Sequence, residues 1–290
     1  MQSATVRVPG TTANLGPGYD CLGIALGLAN KVTVSRGAAE AQGQHAQAAH
    51  PGGSMAAEAS RSFFGKTGID PFPFEWSISG DVPPSRGLGS SVTVRLGLLA
   101  GLNALAGGPA SRDALFGWCA ELEGHPDNAA PAAFGGFTVA GGPEVARFEV
   151  CPQLFFVLLI PNFEVSTPAA RQVLPRQIGH SAAVDSCANA CRITAAFASK
   201  QYALLRGAFR DGLHQPFRLA LIPFLSEVIT AGEKAGALGG FLSGSGSTIC
   251  CVTTAQPAAV AAAMAGAAGG GHRTVITHAD NTGLSVQATA

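Results

Sequence analysis

Two periodicities alternate along the chain, and the places where one gives way to the other mark its elements. Ala4-Thr5-Val6-Arg7-Val8-Pro9 opens a strand; Leu22, Ile24, Leu26 and Leu28 resume at period two before Val32-Thr33-Val34, as half-buried strands do. Gly10 to Asp20 between them is a turn-rich loop with one amide, Asn14, and one carboxylate, Asp20. Both residue types are ordinary turn formers, so the loop alone assigns them no function. Residues 38 to 59, rich in Ala, Gln, Gly and His and broken at Pro51-Gly52-Gly53, read as a loop passing into a helix near Met55 to Phe64. Nothing near His45 and His50 completes a metal set, so both are expected in solvent. Phe74 to Ser79 alternates again as a strand. The period then lengthens. Val92, Leu96, Leu99, Leu102 and Leu105 form one face of a helix that ends by Gly107-Gly108-Pro109, and Leu115, Trp118, Cys119 and Leu122 form one on Arg112 to Glu123. Phe134 to Ala140 begins the next strand, turned by Gly141-Gly142-Pro143.

At Leu154 the pattern changes to a continuous apolar run through Ile160, the mark of a strand buried on both faces. A boundary is therefore expected near residue 152, dividing residues 1–152 from 153–290. Thr167, Arg171 and Pro175 fall on a short helix or loop, and Val184 to Arg206 reads as one long Ala-rich helix carrying Asn189 and Arg192. His214-Gln215-Pro216-Phe217-Arg218 precedes an apolar helix from Leu219 that Pro223 is expected to break. Gly236 to Val252 is glycine-rich between two strand-like pieces. Ala255 to Ala268 is a final helix, followed by a short strand around Thr274 to Thr277.

Composition narrows the function classes. The 290 residues are 47% apolar and 12% charged, enough for a substantial core. Eighteen Lys and Arg balance eighteen Asp and Glu without any block of five like charges, so neither nucleic acid nor a membrane is expected as a partner. No apolar run reaches membrane-spanning length, and residues 1 to 20 have no signal- or transit-peptide character; a cytoplasmic protein with a small-molecule partner is expected. None of the seven cysteines forms C-x-x-C. A zinc set of Cys187, Cys191, Cys250 and Cys251 is conceivable, but its loose spacing favours reduced, buried thiols.

Candidate chemistry sits in two stretches. Pro83-Pro84-Ser85-Arg86-Gly87-Leu88-Gly89-Ser90-Ser91 joins a strand to a helix. Its glycines let backbone approach an anion, the first helical amides lack partners, and the helix dipole favours negative charge, so the loop suits phosphate. Ser90 and Ser91 stand where they would bond it or hold magnesium; a plain Gly-Ser cap is the alternative. The loop is neither a Walker A sequence nor G-x-G-x-x-G. Glu121-Leu122-Glu123-Gly124-His125-Pro126-Asp127-Asn128 is the densest polar run. Acids at a helix C-terminus oppose the dipole, which argues for function there.

Together the glycine-rich loops resemble the superfamily of galactokinase, homoserine kinase, mevalonate kinase and phosphomevalonate kinase, the GHMP kinases, and within it the homoserine kinases. The first motif runs from Val8-Pro9 through Asn14 to Gly23, the second is Gly87 to Ser91, and the third is Gly239 through Thr248. The run from Glu123 to Ala132 with Gly135-Gly136, the run from Ser166 to Arg171 with Leu174-Pro175, and His214 to Arg218 are similar to homoserine kinases specifically. The resemblance covers nearly the whole chain. It implies an α+β, two-domain GHMP kinase fold, with an N-terminal domain like the second domain of ribosomal protein S5 and a ferredoxin-like C-terminal domain. It implies ATP on Pro84, Ser85, Arg86, Gly87, Leu88, Gly89, Ser90 and Ser91, with Mg²⁺ on Ser91 and Glu123. The implied substrate is L-homoserine, phosphorylated on its side-chain hydroxyl in threonine biosynthesis. Asn14, Asp20, His125, Arg171 and Arg218 would bind it, with Asn128, Thr167 and Arg171 catalytic, and a homodimer is implied.

Homoserine carries an ammonium, a carboxylate and a primary hydroxyl. Asp20 is expected to pair the first, and Arg171 or Arg218 to grip the second with a planar fork. Mevalonate-type relatives have an aspartate where Asn128 stands here, and asparagine accepts no proton at neutral pH. Asp127 is expected to point elsewhere, so the hydroxyl proton would pass to a phosphate oxygen or water while Asn128 orients. Departures from the family pattern are the short link between Glu123 and His125, which leaves Glu121 as an alternative at the metal position; Val92-Thr93 for Ala-Ala; and Ser245 and Ser247 for Ala and Pro. The competing readings are a related GHMP kinase with another hydroxylated substrate, and a silent ligand sensor, which intact Ser91 and Glu123 argue against.

Overall fold

A computed structural model describes residues 2–37, 53–142 and 144–289. His45, His50 and most of the loop expected before Met55 lie outside those residues. The chain begins with β1 (Ser3–Ala13) and β2 (Leu22–Arg36), then α1 (Gly53–Thr67), β3 (Phe74–Gly80), α2 (Ser90–Leu105), α3 (Arg112–Glu123), α4 (Ala129–Phe134), β4 (Phe137–Ala140) and β5 (Val145–Phe148). It continues with β6 (Phe155–Pro161), α5 (Thr167–Gln172), α6 (His180–Ser199), α7 (Gln215–Arg218), α8 (Leu225–Lys234), β7 (Gly239–Leu242), β8 (Ile249–Thr253), α9 (Pro257–Ala268), β9 (His272–Thr277) and β10 (Ser285–Thr289).

Two antiparallel sheets result. One runs β10-β1-β2-β4-β5, with β3 also on β2; the other runs β7-β8-β6-β9. The first is covered by α2, whose Gly97 and Gly101 let the helix lie directly on β2: a Cβ at Gly97 would stand 2.6 Å from Val32 Cγ2. The helix is therefore held at one height and rotation above the sheet, and so is the loop feeding its N-terminus. The second sheet packs β6 and β8 against α8 and α9 around Leu159, Val228 and Met264. A third cluster joins the two sheets, with Ile24, Leu26 and Phe137 meeting Phe156, Leu158 and Phe241. In it Phe137 stacks on Phe197 of α6 at 4.3 Å. Burying each of these aromatic or aliphatic side chains stabilises by about 1.5–3 kcal/mol, so the loops of the two sheets face one another across a packed contact.

Several expected boundaries move. The long helix expected over Val184 to Arg206 begins at His180 and stops at Ser199, where Lys200 turns left-handed (φ 58°) and a 3₁₀ turn, Tyr202–Leu205, follows. The apolar helix expected from Leu219 begins only at Leu225, past Pro223: residues 219–224 form turns, and Gln215–Arg218, expected ahead of it, form the short α7. β5 and β10 carry too few apolar positions to be read from periodicity. β10 returns the C-terminal segment to the first sheet, pairing Val286 with Val6. The cysteines depart from the buried reading, since Cys187 and Cys191 are exposed on α6 while Cys250 and Cys251 are buried on β8. All seven are free, and among the described residues no cysteine joins a metal-ligand cluster. No described helix is long and apolar enough to cross a membrane.

Candidate active site

The loop after β3 delivers the chain to α2 through Gly89, whose left-handed backbone (φ 69°) precedes the helix without any side-chain cap. The first amides of α2 therefore open onto a cleft of about 260 Å³ lined by Pro84, Ser85, Gly87, Gly89, Ser90 and Ser91. Leu88 and Arg86 do not line it. Leu88 is a core residue, 1% exposed. Arg86 folds back, donating from Nε to the Pro161 carbonyl (2.9 Å) and from Nη2 to that of Asn162 (2.8 Å), with Glu164 at 3.2 Å. Any part these two play in holding an anion is through backbone alone. The third glycine-rich motif supports the loop from behind: Ser243 Oγ donates to the Gly87 carbonyl (2.6 Å) and the Thr248 amide to that of Arg86 (3.2 Å). Gly87 (φ +71°) is pressed so close that a Cβ would lie 2.2 Å from the Ser243 carbonyl oxygen.

Glu123 and Glu121 separate cleanly. Ser91 Oγ donates to Glu123 Oε2 (2.8 Å), and Arg95 bridges Glu123 Oε1 (2.6 Å) and Glu58 Oε2 (2.7 Å). Glu121 instead pairs with Lys66 at the surface, its side chain 65% exposed. The unfavourable placement of a carboxylate at the C-terminus of α3 is offset by Arg95, and the hydroxyl–carboxylate pair faces the cleft.

The turn between α3 and α4 corrects one expectation. Asp127 lines the cleft rather than pointing elsewhere, and it is 2% exposed. Its Oδ1 accepts from His125 Nδ1 (2.5 Å) and from Asn128 Nδ2 (3.1 Å), while Asn128 Oδ1 accepts from Thr11 Oγ1 (2.6 Å). Since a carboxylate only accepts, the Asn128 amide is oriented without ambiguity: nitrogen to Asp127, oxygen to the Thr11 hydroxyl. Asp20, His125 and Asp127 offer ligand atoms within 4.8 Å of one another.

At the far end Arg171 grips Asp20 in a fork, Nη2 to Oδ1 at 2.9 Å and Nη1 to Oδ2 at 3.1 Å. The two residues expected to take opposite ends of an amino acid thus pair with each other. Asn14 Oδ1 accepts from the Asp20 amide (3.0 Å) and its Nδ2 donates to the Gly244 carbonyl (2.9 Å), fixing the first loop against the third motif. Arg218 donates to the carbonyls of Ala170 (Nε, 3.1 Å) and Gly244 (Nη1, 2.9 Å) and lines the same cleft. The Tyr19 ring lies beneath both guanidinium groups, at 5.6 Å from Arg171 and 5.5 Å from Arg218. Thr167 Oγ1 stands 3.5 Å from Ser245 Oγ at the rim. The cleft therefore gathers every expected site residue except the Arg86 and Leu88 side chains. It adds Asp127, part of the polar run but expected to point elsewhere, and Tyr19, which lies inside the first glycine-rich motif.

Comparison with known proteins follows the same lines. The family model described as GHMP kinases N terminal domain matches residues 54–136, and that described as GHMP kinases C terminal matches residues 193–270. The homoserine kinase of Moorella thermoacetica is 39% identical over 255 residues, covering 84% of this chain and 85% of that protein. That of a Synechococcus strain is 42% identical over 256 residues, 84% and 83%. The chain belongs to the homoserine kinases of the GHMP kinase family. The crystal structure of homoserine kinase from Cytophaga hutchinsonii superposes with a TM-score of 0.87 at 25% identity, over 99% of this chain and 98% of its own. A mevalonate kinase at 13% identity and TM-score 0.72, over 96% and 99%, shares the fold. The α+β, two-domain GHMP kinase fold implied by the motifs is the fold observed.

Charge in this GHMP kinase cleft is shaped by burial. Burial pulls the His125 pKa down, but the hydrogen bond and charge of Asp127, with Asp20 and Glu123 beyond, outweigh it and leave the imidazole above its ordinary value. His214 goes the other way: burial, against the pull of Asp211, drives it down to about 4. Burial likewise lowers Arg218 and raises the Tyr19 phenol.

Proposed function

We propose that this protein transfers the γ-phosphoryl group of ATP to the side-chain hydroxyl of L-homoserine, giving O-phospho-L-homoserine and ADP in threonine biosynthesis. One observation carries the reading. A single cleft holds both an uncapped helix N-terminus behind a glycine loop and a bidentate Asp20–Arg171 pair. That pair has the polarity of a zwitterion. Homoserine inserted there gives its ammonium to Asp20 and its carboxylate to Arg171 and Arg218, so neither protein charge is left unpaired. Mevalonate, without an ammonium, leaves Asp20 uncompensated.

The triphosphate lies on the amides of Arg86 to Ser91, where donors and helix dipole both favour it. The donor set of Ser91 hydroxyl and Glu123 carboxylate is all hard oxygen, which fits Mg²⁺; these two residues would hold it, and it would supply positive charge against the phosphates. Arg95 keeps Glu123 aimed at the cleft. Asn128 accepts from Thr11 at its amide oxygen and donates one Nδ2–H to Asp127, so its remaining Nδ2–H is free to donate to a ligand. Asp127 has Oδ1 occupied by two donors, and its Oδ2 accepts the hydrogen of the substrate hydroxyl and aims that oxygen at phosphorus. His125 holds the carboxylate in place, and Thr167 closes the rim beside the transferring group. We further propose that the chain divides near residue 152, with the nucleotide on 1–152 and Thr167, Arg171 and Arg218 brought from 153–290. Its use of ATP and its seven free thiols favour the cytoplasm. A homodimer is expected on light scattering.

The test is ADP release from Mg-ATP with homoserine, threonine, serine, mevalonate and shikimate. Turnover on homoserine alone is expected. Silence on the whole panel with ATP binding intact would overturn the substrate assignment and withdraw the roles of Asp20, Arg171 and Arg218.

A further inference from the structure

We propose that His214 is a positioning residue: a neutral imidazole, protonated on Nε2, that accepts a hydrogen bond from Arg218 at Nδ1 and so turns the free edge of that guanidinium into the cleft. The inference rests on the homoserine reading above and extends it to a residue that touches no ligand.

The two partners of the ring fix its state. Nε2 lies 2.9 Å from the Gly16 carbonyl oxygen, which only accepts, so Nε2 carries a proton. Nδ1 lies 3.1 Å from Arg218 Nη1, which only donates, so Nδ1 is bare. A proton on Nδ1 would set two donors face to face around a ring that is 0% exposed. Asp211 Oδ2 stands 3.4 Å from Nε2, but its carboxylate is already committed to the amides of Leu213, His214 and Gln215. It anchors the start of α7 and with it the ring.

On Arg218 the acceptors are Ala170 O for Nε, and Gly244 O and His214 Nδ1 for the two Nη1 hydrogens. No acceptor among the described residues takes Nη2, and Arg218 lines the cleft. His214 and Arg218 are four residues apart, one turn of α7, so they meet on the same face. A fork binds a carboxylate well only when its plane is held, and His214 Nδ1 is the third of the acceptors that hold it, beside the Ala170 and Gly244 carbonyls. The imidazole also packs on Tyr19 at 5.2 Å, the ring that lies under Arg171 and Arg218.

Asparagine and glutamine separate the two nitrogens. Asparagine places its oxygen near the site of Nδ1 and keeps the acceptor for Arg218; glutamine reaches the site of Nε2 and keeps only the donor to Gly16. Steady-state kinetics on the full chain would use homoserine and 3-aminopropan-1-ol, which has the same ammonium and hydroxyl without the carboxylate. His214→Gln is expected to raise the homoserine KM about ten- to a hundredfold, with kcat, ATP KM and the aminopropanol KM unchanged. His214→Asn is expected to recover most of that loss. An unchanged homoserine KM in folded His214→Gln, or equal losses on both substrates in both variants, overturns the proposal. Should His214→Gln fail to fold, ¹⁵N NMR of the unaltered protein decides: a bare Nδ1 and protonated Nε2 support it, and an Nδ1-protonated or doubly protonated ring refutes it. Failure of the unaltered protein to phosphorylate homoserine is a separate result, and it removes the substrate reading itself.

Discussion

Replacing Asp127 by asparagine tests how the substrate hydroxyl is aimed. The carboxylate is 2% exposed, and its Oδ1 accepts from both His125 Nδ1 and Asn128 Nδ2. An asparagine has a single carbonyl oxygen, so if that oxygen keeps these two donors its amide nitrogen faces the substrate and offers a donor where an acceptor is needed. If it turns round, a donor faces two donors. The first arrangement keeps both protein hydrogen bonds on a neutral acceptor and loses only the one to the substrate; the second forfeits a buried hydrogen bond to a charged acceptor, a stability cost of about 1.5–3 kcal/mol. The kinetic cost is larger, because removal of a positioned proton acceptor takes about 10²–10⁴ from the rate, or about 2.7–5.4 kcal/mol of barrier. The assay is coupled ADP release at saturating Mg-ATP with homoserine varied, beside a thermal unfolding curve. A fall in kcat of about a hundredfold or more, with a much smaller change in homoserine KM, is expected. A folded variant that retains kcat within about tenfold would refute the role of Asp127 and return the proton to a phosphate oxygen or water.

Four other outcomes follow from the same geometry. His125 has a folded pKa raised above its unfolded value of about 6.5, so its contribution to stability is full below that pH and is lost as pH rises through the folded value. The urea midpoint should therefore fall over that interval, and Asp127→Asn should flatten the fall. Glu123→Gln should raise the Mg²⁺ concentration needed for half-maximal rate, whereas Glu121→Gln, which touches only Lys66, should leave the Mg²⁺ titration where it was. Arg171→Lys should raise homoserine KM about tenfold with ATP KM unchanged, because an ammonium cannot reproduce the two-point grip that now holds Asp20. Gly87→Ala puts a Cβ 2.2 Å from the Ser243 carbonyl at φ +71°, so ATP KM should rise and the melting temperature should drop.

The order of strands and helices was largely readable from hydrophobic period, because one face of each long element had to be apolar to bury itself. So was the phosphate-binding character of the central loop, which follows from local geometry: glycines at left-handed positions before a helix with free amides. Glu123 and Glu121 lie two residues apart near the end of α3, and no local rule separates them. Only the positions of Arg95, Glu58 and Lys66, supplied by other helices, turn one into the cleft and the other into solvent. Asp127 was misjudged for the same reason, since it is held by His125 and by the Asn128 amide, and that amide is itself oriented by Thr11 on β1, 117 residues away in the chain. β10 is too short and too exposed to announce itself, and it exists because β1 offers an edge. The sequence by itself determined which groups this protein owns and which segments are helix or strand, since those depend on neighbours a few residues away. Which carboxylate meets which cation, and which tautomer His214 holds, depend on contacts between segments distant in the chain, and these exist only once the two sheets have closed on their shared core.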